Sequence, residues 1–156
     1  MKETLLGIFG FIAFFLIASF ILGGAVGIIE VVGLFLANTA SPYLAIALWV
    51  LLPVVFVILI PLSFIKPLKV ITGNLIFASS FFFGLIAWVF GFVSTYYTWG
   101  TTALIIGLLL GGIGVVPIGF FAALFNGEWL ALLMIFLGVI VTYGTRWISL
   151  KILEEA

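Results

Sequence analysis

The chain contains no cysteine, no histidine and no aspartate, and only 6% of its 156 residues are charged. Without cysteine there is no disulfide, no thiolate nucleophile and no thiolate-held metal. The missing histidine and aspartate remove the commonest general bases and the usual zinc and haem ligands. No metal, no cofactor and no enzymatic activity are therefore expected. Five Lys and Arg balance five Glu, giving zero net charge. There is no basic stripe and no glycine-rich phosphate loop in a strand–helix setting, so nucleic acid is not an expected partner.

What the sequence has is apolar surface, with 67% of residues hydrophobic and 17% aromatic. Soluble domains carry about a quarter charged residues, so this chain cannot cover its exterior with charge, and the expected partner of that exterior is the lipid bilayer. The apolar runs suit helices crossing a ~30 Å hydrocarbon core. They lack the sustained alternation of a membrane β-barrel. The expected fold is all-α: a polytopic helical membrane protein with about five transmembrane helices in one glycine-rich bundle, residues 1–156 forming a single integral membrane domain. The expected location is a prokaryotic cytoplasmic membrane, multi-pass. The opening "MKETLLGIFGFIAFFLIASFIL" has a longer apolar stretch than a signal peptide and reads as an uncleaved first segment.

Five apolar segments can be drawn, at 5–37, 43–65, 70–93, 102–125 and 129–149, separated by "NTASP", "KPLK", "STYYTWGT" and "NGE". Ser41 and Pro42 read as the cap and first residue of a helix. Pro53, Pro61 and Pro117 fall inside segments and should kink or break them. The first segment is overlong: as a helix it would reach about 50 Å, so it should tilt, protrude or break at Gly23–Gly24, with one long helix preferred. In "GGIGVVPIG" (111–119) a proline kink is preferred over an unwound stretch with exposed carbonyls. The likeness of "LGGAVGIIEVVG" (22–33) to "LLGGIGVVPIG" (109–119) is of a kind that Gly, Ile and Val yield by chance, and no inverted repeat is inferred. Tyr96, Tyr97, Trp99, Trp129 and Trp147 are expected at membrane interfaces. Five spans with Lys2, Lys66 and Lys69 on the cytoplasmic side place the N-terminus inside and the C-terminus outside.

Between Glu3 and Lys66 the sole charged residue is Glu30. Helical spacing sets it in a small-residue stripe with Ser19, Gly23, Gly27 and Gly33. Gly73, Ser80, Gly84, Ala87 and Gly91 form a second stripe, Ala103, Gly107, Gly111 and Gly114 a third, and Gly138, Thr142, Arg146 and Ser149 a fourth. Such stripes let helices approach closely in lipid, within one bundle or between copies in a homo-oligomer. A lone carboxylate in hydrocarbon needs a partner or a proton. Arg146 is the expected partner, with Thr142 and Tyr143 as hydrogen-bonding neighbours. The pair either docks the first helix on the last or marks an ion or substrate site; the third reading is that the overlong first segment carries Glu30 to water at the interface. Asn74, Ser79 and Ser80 offer a polar path, and Glu128 sits well at the start of the last helix. The expected function is a transporter or channel for a small solute or ion, with Glu30 in a helix seam. The alternative is a structural or accessory subunit of a larger membrane complex with no chemistry of its own.

Overall fold

The computed structural model describes the backbone of residues 2–155 and the side chains of residues 14 and 16–155 apart from Leu22. The Lys2 side chain, used above for orientation, lies outside the described residues. Every element among them is helical. Three helices are long and apolar enough to cross a membrane, at Leu16–Leu62, Lys66–Leu109 and Trp129–Glu154. The expected count of about five is not matched.

The first difference lies at "NTASP". Helix α1 (Lys2–Phe35) does not stop there but runs through a wide π-helical turn, Leu36–Ala40, into α2 (Ser41–Pro53). A second wide turn, Val54–Leu59, leads into the short α3 (Ile60–Leu62). Each wide turn lies just before a proline, Pro42 or Pro61. A proline ring clashes with the carbonyl four residues back and removes its hydrogen bond, and a π turn opens the helix enough to accommodate it. Ser41 is therefore not a cap: its hydroxyl donates back to the Ala37 carbonyl at 2.6 Å. The preferred reading of one long first helix agrees with this continuity, and no break occurs at Gly23–Gly24.

The second difference lies between 100 and 128. Helix α4 (Lys69–Leu109) is broken at Gly100, with φ 76° and ψ −176°, into arms 69–99 and 101–109. Gly111 and Gly112, also at positive φ, turn the chain again into α5 (Val115–Asn126), and Gly127 at φ 71° turns it into α6 (Trp129–Glu154). L side chains rarely adopt this backbone region, whereas glycine does so freely. The expected fourth span, 102–125, is thus a hairpin of two short arms, ~14 and ~18 Å long at 1.5 Å per residue. Pro117 lies in the first turn of α5, where its missing N–H costs nothing, so it neither kinks nor breaks that helix.

The long arm of α4 and α6 form the frame. They run antiparallel, held closely by small residues. A Cβ added at Gly138 would lie 2.8 Å from the Ala87 Cβ, and one at Gly84 would lie 3.6 Å from the Thr142 side chain. Ser149 donates to the Gly73 carbonyl at 3.0 Å, and Lys69 meets Glu155 in an ion pair at 3.2 Å. The start of α4 and the end of α6 therefore share one end of the bundle, not opposite ends as five spans would require. On one flank, Leu48 of α2 and Val55 of the wide turn that follows it pack against Ile76, Phe83, Ile86, Met134 and Ile135. The short hairpin packs along the upper half of the long arm, where Phe92, Leu104 and Val115 form a second cluster.

Candidate functional site

The tip of the short hairpin meets the middle of the frame. The Trp88 indole N–H donates to the Gly112 carbonyl at 2.9 Å, fixing the turn against the long arm of α4. Gly91 and Gly107 make this possible. Cβ atoms there would come within 3.0 Å of the Val115 carbonyl and 3.2 Å of its Cα, respectively. A Cβ at Gly119 would land on the Gly91 backbone itself, so α5 and α4 touch main chain to main chain. Beside the tip lies a laterally open groove of about 600 Å³, lined by Gly84, Trp88, Gly112, Val139, Thr142 and Tyr143 among others. That volume lies in the range of small-molecule sites. The walls are mostly aliphatic and aromatic, and the peptide groups of the turn add polarity at the rim.

The residues singled out from the sequence fall apart into separate places. Thr142 and Tyr143 line the groove, though the Thr142 hydroxyl is engaged with the Gly138 carbonyl at 2.6 Å. Glu30 and Arg146 are not brought together. Glu30 is exposed and lies one turn from Gly33, whose Cβ position is 3.2 Å from the Tyr96 ring. Arg146 lies over the Phe81 and Phe77 rings, 5.0 and 5.8 Å from their centroids. Tyr96 and Phe81 are about four turns apart on one helix, or ~22 Å. Lys69–Glu155 is the one ion pair among the described residues. The expected charge pair is therefore corrected: the hairpin returns the chain so that Arg146 and Glu30 face opposite ends. Arg146 finds aromatic faces instead, a contact that suits a guanidinium, and its buried Nε has no hydrogen-bond partner.

Asn74 is exposed, while Ser79 and Ser80 return their hydroxyls to the carbonyls of Leu75 and Phe77. Of the small residues, Gly84, Gly91 and Gly107 have Cβ positions in contact with neighbouring helices or turns. Gly111 belongs to the turn and Gly23 and Gly27 stand in open space, with nothing within 4 Å of their Cβ positions. Ser19, on the same stripe, is exposed. The sequence reading missed Trp88 and Gly119. The available signal was the three glycine punctuation marks, at 100, 111–112 and 127, framing two apolar pieces too short to span. No family model matches the chain, and no curated protein or solved structure matches it.

Proposed function

We propose that the chain is an integral membrane protein in which residues 101–126 form a re-entrant hairpin, and that it binds and carries a small, mainly apolar solute in the groove beside the hairpin tip. The observation behind this reading is the Trp88–Gly112 contact and its level in the frame. Trp129 and Trp147 are 18 residues apart on α6, or ~27 Å, close to the thickness of the hydrocarbon core. Gly138 lies midway between them and opposite Ala87, so the tip beside Trp88 falls at the bilayer midplane. Non-helical backbone is tolerated at that depth where protein or a cavity satisfies it, and transporters place broken helices and substrate there. The Glu30 seam plays no part in this version of the transport reading.

Orientation follows from charge. Lys69, Arg146, Lys151 and, beside Lys69 in one cleft, Lys66 all belong to the end marked by the Lys69–Glu155 pair. The positive-inside rule puts that end, including the C-terminus, in the cytoplasm.

The binding reading is tested with a diazirine-bearing fatty acid in vesicles containing the protein. Photolabelling mapped by mass spectrometry should favour Ile113, Val139 and Tyr143 over Phe20, which is 86% exposed on the first helix. Gly84→Leu should reduce that preference by filling the groove. Labelling spread evenly over all lipid-facing residues would overturn the proposal.

The accessory-subunit reading is carried by a different observation. Phe14, Leu16, Ile17, Phe20 and Ile21 are all exposed, and Cβ positions at nearby Gly23 and Gly27 meet nothing within 4 Å. A chain without cysteine permits a clean test: Gly27→Cys, cross-linked in native membranes. A cross-link to a second protein supports this reading, and a chain that stays monomeric removes it.

A further inference from the structure

A second cleft lies at the end of the bundle remote from Lys69, and its chemistry differs from that of the groove. It measures about 550 Å³ and is lined by Phe90, Ser94, Tyr97, Glu128 and Trp129, with a few aliphatic neighbours. Glu128 is the N-terminal flanking residue of α6, yet its carboxylate makes no cap bond to its own helix. It turns instead to α4, where the Ser94 hydroxyl donates to Oε2 at 3.0 Å. That turn brings the acid to the wall of the cleft alongside the three aromatic residues. No cation balances it: among the described residues the only ion pair is Lys69–Glu155, at the other end.

We propose that this cleft is a binding site for an organic ammonium group, independent of the groove beside Trp88. A quaternary ammonium is too diffuse a charge to need hydrogen bonds and is held by aromatic faces, Trp above all. Tyr97, Trp129 and Phe90 supply the rings, and Glu128 supplies the countercharge. The same chemistry could arrive as a lipid head group or as a free amine.

The experiment uses the full chain in dodecyl maltoside micelles, which carry no ammonium of their own, and equilibrium dialysis against tetramethylammonium. Saturable binding is expected for the wild type, weakened about tenfold in Glu128→Gln and similarly in Trp129→Leu. Glu30→Gln, a charge change outside the cleft, should leave it unaltered. Ser94→Ala removes the hydrogen bond but keeps the charge, and should retain binding. Displacement of the probe by phosphatidylcholine, but not phosphatidylglycerol, assigns the site to a lipid head group; displacement by neither assigns it to a free ammonium compound. Absence of saturable binding in the wild type overturns the proposal. So does binding lost as completely in Ser94→Ala as in Glu128→Gln, which would make the pair a helix-docking contact. Should Glu128→Gln fail to fold, Trp129→Leu and the competition still decide the matter.

Discussion

Lys69 donates from Nζ to the Glu155 carboxylate at 3.2 Å and to the Glu155 main-chain carbonyl at 2.9 Å. One lysine thus ties the start of α4 to the end of α6, and the two ends lie on one side. Reporter fusions after residues 68 and 156 should therefore report the same compartment, the cytoplasm by the positive-inside rule. Fusions on opposite sides would require another crossing between them and would overturn the re-entrant arrangement proposed for the hairpin.

The Gly91–Gly119 contact leaves no room for a side chain. Gly119→Leu should lower stability by about 1–3 kcal/mol through overpacking, seen as reduced thermal stability in detergent. Gly27→Leu meets nothing within 4 Å and should stay within about 0.5 kcal/mol of wild type. A large effect at Gly27 would show that the first helix has a partner.

Trp88→Phe keeps an aromatic ring near Phe92, whose centroid is 5.4 Å away, but removes the donor to Gly112. The expected cost is about 1 kcal/mol. Amide exchange should quicken across 110–114 while 129–154 keeps its protection. Unchanged exchange in the turn would mean that the indole does not hold it.

Glu30 and Arg146 should behave as independent sites. A double-mutant cycle with Glu30→Gln and Arg146→Met should give a coupling energy below about 0.5 kcal/mol. Arg146→Met alone should cost stability by losing the stack over Phe81. Strong coupling would restore the docking pair expected from the sequence.

The helical character of the chain and the presence of helices long and apolar enough to cross a membrane were legible because they follow from composition and run length. The small-residue stripe of α4 could be drawn from spacing, since Gly73, Gly84 and Gly91 sit on multiples of three to four residues and a helix turns them to one side, but its antiparallel pairing with α6 could not, because five spans set the two helices parallel. The hairpin was not legible, because 102–125 is as apolar as a span and hydropathy does not record where a chain reverses. The Glu30–Arg146 pairing rested on counting crossings, and one crossing too many carried Arg146 to the wrong end. At "NTASP" the local signal for a helix start was real, but a wide turn absorbed Pro42 without stopping the helix. Glu128 was placed correctly at the start of α6, while its turn toward Ser94 depends on contacts distant in sequence.

The half-length hairpin also dictates an order of assembly. Its arms, ~14 and ~18 Å long, cannot cross a ~30 Å core by themselves. The tip rests on Trp88 and Gly91, which are synthesised before it, but the groove wall at Val139, Thr142 and Tyr143 is synthesised after it. Under the re-entrant reading proposed above, a nascent chain halted before Trp129 carries a hairpin with one supporting face missing, and its glycine turn reaches its final depth once the last helix is in place.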